Sequence, residues 1–203
     1  MHIIWNLPVL GDRIVEASAT LEIVVVPEVP ELWFWALQAS FGNVGGAHLG
    51  LQWYDRYPRS TAANFGGYDN GSGRELDGSG ENTQAFGWEG GHPYRLTIAA
   101  AGPGAWSGRI DGGDLRVLSC GGTAIGLRGL MVWTECFARC DAPPAAARWS
   151  GFEVVIAAGQ TVAVTDASLS YQAVSDGGCS TGRSERDGDG WLQTTGVSRK
   201  RAR

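Results

Sequence analysis

The stretch AHLGLQWYDRYPRSTAANFGGYD, residues 47–69, contains two runs of alternating polar and apolar side chains, separated by a proline-containing turn. Alternation of this kind predicts β-strands, because successive side chains of a strand point to opposite faces of a sheet. The first run places Leu49 and Leu51 opposite Gln52 and Tyr54. The stretch therefore predicts two neighbouring strands of a sheet with one apolar face and one semi-polar face.

The same pattern continues along most of the chain. Period-two alternation, β-branched and aromatic runs and frequent Gly, Pro, Asn and Asp breaks predict short strands near residues 2–6, 14–26, 32–41, 47–55, 61–68, 85–88, 93–100, 105–110, 115–120, 129–137, 152–157 and 167–174. No segment predicts an amphipathic helix. The fold class that follows is all-β, a two-sheet antiparallel sandwich of jelly-roll, concanavalin-like type.

Three segments interrupt the strand pattern. Residues 141–149, DAPPAAARW, predict a short helical turn, and residues 69–84 and 175–190 predict long turn-rich loops. No linker is long enough to divide the chain, so we expect one domain over residues 1–198 and a basic, disordered tail over residues 199–203.

The charge balance bears on possible partners. The formal net charge is -5, and without the tail RKRAR the body has 12 basic and 21 acidic residues, a net charge of -9. An acidic body repels a phosphate backbone, so we expect no nucleic-acid partner. No run approaches the ~20 apolar residues that span a bilayer, so we expect no membrane partner. No leader is recognisable, which predicts a cytoplasmic protein, or a secreted one if a leader was removed.

Four cysteines leave two readings open. A structural zinc site usually has two C-x2-C motifs, and this pattern is absent from the sequence, whose cysteines are Cys120, Cys136, Cys140 and Cys179. They are either buried or free thiols, or one bridge joins Cys140 to Cys179, both of which lie beside turn-forming sequence.

Strand parity predicts an apolar side that includes Trp33, Trp35, Leu37, Ala39 and Phe41 and also Leu51, Trp53 and Val132, and we expect Trp35, Leu37, Leu51, Trp53 and Val132 to be buried. The opposite side collects polar and aromatic residues. This side holds Gln38, Gln52, Tyr54, Asn64, Tyr68, Trp133 and Glu135. The set that we predict to bind a ligand is Gln52, Tyr54, Asn64, Tyr68, Trp133 and Glu135, together with Asp69 at the end of the second run. A flat aromatic ring beside amide and carboxylate groups suits a sugar, which has apolar faces and a polar rim.

The order of the segments WFWALQASF, GGAHLGLQWYDRYPRSTAANFGGYD, FGWEGGHPYRLTI, WSGRI, VWTECFARCD and SYQAVSDGGC resembles an uncharacterised group of bacterial β-sandwich domains. The likeness spans roughly residues 32–180. These domains look like concanavalin-type jelly rolls, and relatives occur in proteins associated with carbohydrates. The resemblance implies the fold and says little about activity.

The leading function is therefore non-catalytic binding of a carbohydrate or a similar small polar ligand. Catalysis by a lysine is excluded in the body, because the only lysine is Lys200 in the tail. One alternative is a glycoside-active enzyme that pairs Glu135 with Asp69 or Asp77, since glycosidases need two carboxyl groups ~5 to 10 Å apart. Another is a structural or protein-interaction module. We favour a structural Glu135, paired with an arginine such as Arg139 or Arg148.

No cofactor is expected. The loop after the second run carries hard oxygen ligands that suit calcium, namely Asp69, Asn70, Glu75, Asp77, Ser79 and Glu81. It matches no complete calcium-binding signature, and Asn-Gly and Asp-Gly pairs are also favoured hairpin turns. The sequence leaves the oligomeric state open.

Overall fold

The computed structural model describes residues 1–7, 13–41, 45–69, 72–120 and 126–199. The first strands are β1 (His2–Trp5), β2 (Ile14–Val25), β3 (Trp33–Phe41), β4 (Gly45–Trp53), β5 (Thr61–Tyr68), β6 (Thr83–Ala85), β7 (Pro93–Gly102) and β8 (Ala105–Ile110). The later strands are β9 (Gly113–Ser119), β10 (Leu127–Cys136), β11 (Ala146–Ile156), β12 (Thr161–Ala163), β13 (Ala167–Ser170), β14 (Gly182–Asp187) and β15 (Gly190–Thr195). Short 3-10 turns span Pro58–Ser60 and Val174–Asp176.

The strands form two layers, and every pairing within them is antiparallel. The first layer has the order β13-β1-β10-β3-β4-β5-β6, and we call it the site sheet. The second layer has the order β9-β8-β7-β2-β11-β15-β14, with β12 beside β11. A single pair, Leu127 with Ile14, continues one layer into the other. The predicted all-β sandwich is confirmed.

Aromatic contacts hold the two layers against each other. Phe41 of the site sheet stacks on Trp106 of β8, with ring centroids 4.8 Å apart. The Phe65 ring fills the space that a side chain at Gly108 of β8 would need, because a Cβ built there lies 2.4 Å from the ring. Close packing of this kind leaves one face of the site sheet in the core and the other face open.

Parity assigned the core face correctly. The predicted apolar set on β3 is fully or almost fully buried: Trp33, Trp35, Leu37, Ala39 and Phe41. Leu51 and Val132 are also fully buried, whereas Trp53 at the end of β4 is partly buried. Buried apolar area of this extent is the main source of stability in such a fold.

Two of the predicted irregular segments are wrong. Residues 146–149 form the start of β11 rather than a helical turn, because Ala147 and Trp149 alternate into the core after the two prolines. Much of residues 175–190 forms β14 and the turn of a hairpin to β15, in which Gly188 adopts a φ of 61°. The charged residues of β14 concealed this strand. Across the described residues, no helix is long and apolar enough to cross a membrane.

Candidate functional site

The open face of the site sheet brings together side chains from four adjacent strands. Glu135 of β10 and Gln52 of β4 both pair with Phe34 of β3, so all three share one row across the sheet. Trp133 lies in the next row, opposite Ala36. The face that parity predicted to be semi-polar is therefore formed, and its strands carry Gln38, Gln52, Asn64, Tyr68, Trp133 and Glu135 on the same side.

A hydrogen-bonded chain of side chains crosses this face. The Trp133 Nε1–H donates to Gln38 Oε1 at 2.9 Å, and Gln38 Nε2 donates to the Tyr68 hydroxyl at 3.0 Å. Gly46 lies beneath the tyrosine, and a Cβ there would come within 3.2 Å of the Tyr68 hydroxyl oxygen. The amide of Gln38 is thus held at both ends, and it positions an indole and a phenol on opposite sides of itself.

Three rings pack edge to face beside this chain. The centroid of Phe34 lies 4.9 Å from that of Trp133 and 5.7 Å from that of His48, in T-shaped arrangements. Burial lowers the pKa of His48 to about 4, against the opposing influences of the Glu75 charge and the Asn64 side chain. His48 is therefore neutral near pH 7, and it adds a polar but uncharged group to the aromatic cluster.

A cavity of about 760 Å³ lies over this part of the face. Its floor comes from the site sheet and includes Gln38, His48, Tyr68, Trp133 and Glu135. The volume is in the range of small-molecule sites, which are roughly 300–1,000 Å³. Three of the seven predicted ligand-binding residues, Tyr68, Trp133 and Glu135, line it.

Two segments form the side of the cavity, and we call residues 137–143 and 171–181 the wall. A disulfide between Cys140 and Cys179 joins them, with Cα atoms 5.5 Å apart. The bridge that the sequence left as an alternative is therefore present. Cys120 is a buried free thiol, and Cys136 is a free thiol that lines the cavity.

The predicted arginine partners of Glu135 are wrong. Arg139 pairs with Asp141, two residues along the chain, and Arg148 pairs with Glu22, its partner in the register of β2, and with Asp187 of β14. Within the described part of the chain, no arginine forms an ion pair with Glu135. Burial raises the pKa of the Glu135 carboxyl, and the nearby amino group of Met1 opposes this shift.

The two carboxyl groups needed for glycoside hydrolysis are not brought together. Glu135 pairs with Phe34, whereas Tyr68, next to Asp69, shares a row with Ser40 through Gly46. Six residues along β3 separate these rows, which is roughly 20 Å. This exceeds the ~10 Å limit of the two-carboxylate mechanism. Glu75 and Asp77 lie in the loop beyond Asp69, and neither lines the cavity.

The other predicted residues lie outside the cavity. Gln52 and Asn64 are on the open face but buried, and Asn64 Nδ2 donates to Thr83 Oγ1 at 2.7 Å. Tyr54 lies in the turn after β4, where its ring is 6.4 Å from that of Tyr57. Asp69 accepts hydrogen bonds from the backbone and hydroxyl of Ser72 and so closes a local turn.

His48 belongs to the floor and Phe34 packs against it, but both are absent from the predicted set. Both have the same strand parity as Gln38 and Gln52, so the signal was available. They were passed over because an isolated histidine and a single phenylalanine look like ordinary surface and core residues.

Part of the loop that carries candidate calcium ligands is held by an ion pair and hydrogen bonds within the protein. Glu75 lies 3.5 Å from Arg116 and accepts a hydrogen bond from Asn82, whereas Asn70 lies outside the described residues. In the ranges that the structure describes, no three His, Cys, Asp or Glu residues are placed to hold a metal ion. The expectation of no cofactor, with calcium as the less favoured alternative, stays a prediction.

Comparisons with known proteins agree on the fold. Scytalido-glutamic peptidase, solved with a peptide-based transition-state analog, matches 95% of this chain and 95% of its own, at 14% identity and a TM-score of 0.57. SCP-B, an eqolisin-family peptidase solved with the tripeptide Ala-Ile-His, covers 95% of this chain and 94% of its own, at 12% identity and a TM-score of 0.55. The carbohydrate-binding module CBM66 from Bacillus subtilis matches 66% of this chain and 76% of its own, at 12% identity and a TM-score of 0.41.

These likenesses extend to the architecture alone. At 12–14% identity the peptidases share the all-β sandwich with this chain, and the CBM66 match is too distant to support an argument. No family model and no curated protein matches the sequence.

Proposed function

We propose that the cavity on the open face binds a carbohydrate and does not catalyse a reaction on it. The observation that supports this proposal is the hydrogen-bonded chain from Trp133 through Gln38 to Tyr68. It presents neutral polar groups beside partly exposed aromatic rings, which is the combination that sugar rings require.

The hydrogen-bonded side chains can still form further hydrogen bonds to a ligand. Gln38 Nε2 has a second N–H, Gln38 Oε1 has a second lone pair, and the Tyr68 hydroxyl keeps its own proton to donate. His48 is neutral and lies beside these groups. Gln38, Tyr68 and His48 are uncharged donors and acceptors, and Glu135 brings no positive charge to the floor, so the floor favours hydroxyl groups over phosphates or carboxylates.

A glycan array followed by calorimetry tests this proposal. The purified protein is screened against immobilised neutral, acidic and amino oligosaccharides, and affinity for a captured oligosaccharide is then measured by titration. We expect Trp133→Ala to weaken binding at least about tenfold, because the stacking ring is lost. Tyr54→Ala is the matched control, since Tyr54 lies outside the cavity, and it should bind like the parent.

Two outcomes would contradict the proposal. Either no oligosaccharide binds above background, or Trp133→Ala and Tyr54→Ala change the affinity equally. The second outcome would favour the set of site residues predicted from strand parity, in which Trp133 and Tyr54 both belong to the site.

A second candidate function is peptide-bond hydrolysis. The specific observation is that Glu135 lines the cavity with a raised pKa and that Gln52 lies in its row, on the other side of Phe34. The solved structures of similar fold are described as a glutamic peptidase and an eqolisin-family peptidase. A carboxylate removes a proton from an attacking water, and an amide N–H stabilises the oxyanion that forms.

Binding ranks first because Gln52 is buried and does not line the cavity. Incubation with an unfolded protein substrate between about pH 3 and pH 8, with cleavage products read by mass spectrometry, tests hydrolysis. Products that disappear in both Glu135→Gln and Gln52→Leu would place hydrolysis first. Absence of cleavage, or cleavage that survives Glu135→Gln, would remove it.

A further inference from the structure

The wall is attached to the molecule differently from the floor. The floor residues lie on hydrogen-bonded strands of the site sheet. The wall residues 137–143 and 171–181 lie between strands, and most of them are exposed. Segments with few buried apolar contacts open more easily than the sheets that they border.

Hydrogen bonds to the neighbouring strands and loops hold the first wall segment near its two ends. The Phe137 N–H donates to the Leu32 carbonyl at 2.9 Å, and the Ala145 N–H donates to Thr195 Oγ1 at 3.2 Å. Between these points, Arg139 and Asp141 bond to each other. The middle of this segment is therefore tied to the rest of the wall through Cys140.

The second wall segment is held at the same place and at its two ends, where the Tyr171 hydroxyl accepts from the Ser184 N–H at 2.9 Å and the Thr181 carbonyl accepts from the Gly196 N–H at 3.0 Å. Cys179 carries the other half of the disulfide, and Thr181 Oγ1 donates to the Cys140 carbonyl. The Arg199 guanidinium donates to the Cys179 carbonyl and lies 4.0 Å from the centroid of the Tyr171 ring. One covalent bond thus connects both segments at the point where their hydrogen bonds also meet.

We propose that the Cys140–Cys179 disulfide controls the cavity, so that its reduction releases the wall and weakens ligand binding. A dithiol reductant supplies two electrons and two protons. The S–S bond breaks, Cys140 and Cys179 each become a thiol, and the reductant leaves as a disulfide. An oxidising compartment keeps the wall closed, and a reducing one opens it.

The free thiol of Cys136 does not replace the reductant. It lines the same cavity, but burial raises its pKa, which keeps it protonated near neutral pH. The thiolate is the attacking species in disulfide exchange, so a protonated thiol exchanges slowly. Cys136→Ser therefore preserves the bridge and serves as the matched control.

Hydrogen–deuterium exchange tests the wall without any ligand. Full-length oxidised protein, dithiothreitol-reduced protein and the Cys140→Ser/Cys179→Ser double variant are compared by mass spectrometry. We expect amides of residues 137–143 and 171–181 to exchange at least about tenfold faster without the bridge, while β3 and β4 are unchanged. Cys136→Ser should match the oxidised parent. Unchanged wall exchange, or equal acceleration in β3 and β4, would overturn the proposal.

The ligand part of the inference rests on the proposed function and is measured separately. For an oligosaccharide captured on the array, affinity should fall at least about tenfold in the reduced protein and in the double variant. Equal affinity in both states would overturn control of binding by the bond. If no oligosaccharide binds at all, the proposed function fails, and the exchange experiment still decides whether the bond holds the wall.

Discussion

The two faces of the site sheet are built on different principles. The core face packs Trp35, Leu37 and Leu51 at zero exposure against the second layer. The open face joins its side chains laterally, through the bonds that Gln38 makes to Trp133 and Tyr68. Substitutions on the core face should therefore change the free energy of unfolding, and substitutions on the open face should change ligand affinity as well as stability.

The largest effect is expected on the core face. Leu51→Ala removes fully buried methyl groups and leaves a cavity, so the free energy of unfolding should fall by ~2 to 5 kcal/mol in a urea titration. Leu169→Ala is the matched control, since Leu169 is 40% exposed and should lose less than ~1 kcal/mol. Equal losses at the two positions would mean that the faces are assigned wrongly.

His48 should make stability depend on pH. Its pKa is 6.5 in the unfolded chain and about 4 when folded, so the unfolded state binds more protons between these values. The contribution of His48 is complete above pH 6.5 and is lost as pH falls to 4, by about 3 kcal/mol in total.

The comparison that isolates this effect uses His48→Gln. Urea titrations at a series of pH values measure how much more stable the parent is than the variant. This difference should decrease as pH falls from 6.5 to 4. A difference that is constant over this window would show that His48 is not buried in its neutral form.

Gln38→Leu should cost ~1 kcal/mol, because it removes the partners of the Trp133 indole N–H and the Tyr68 hydroxyl, which water can partly replace. Gln38→Glu keeps an acceptor for both groups and should lose less. Thermal unfolding of both variants measures the difference. If the two variants lose the same stability, the hydrogen-bonded chain does not contribute to the open face.

The smallest effect on folding is expected for Glu135→Gln. Since none of the described arginines pairs with Glu135, removal of its charge should change the free energy of unfolding by less than ~0.5 kcal/mol in a urea titration. A loss above ~1 kcal/mol would support the ion pair between Glu135 and an arginine that the sequence predicted. Asp187→Asn is a useful contrast, because Asp187 lies 2.6 Å from Arg148.

Much of the fold could be predicted because the alternation of polar and apolar side chains indicates which side of a strand is buried. Leu37 and Val132 were assigned to the core from parity alone, and both are fully buried. β14 was missed because Arg183 and Glu185 pair with each other on one side of the strand, and the buried positions on the other side are Gly182 and Ser184, which leaves no apolar side chain to recognise. The start of β11 was missed because the alanines before Trp149 also suit a helical turn.

The sequence by itself determined which residues share a face of the site sheet, since parity is a local property of each strand. It placed Gln52, Trp133 and Glu135 together on one side, and the register confirms that side. Only the tertiary structure decided which of them line the cavity. Register between distant strands, the packing of Phe34 beside Gln52 and the disulfide that closes the wall all depend on contacts between residues far apart in the chain, which no local pattern records.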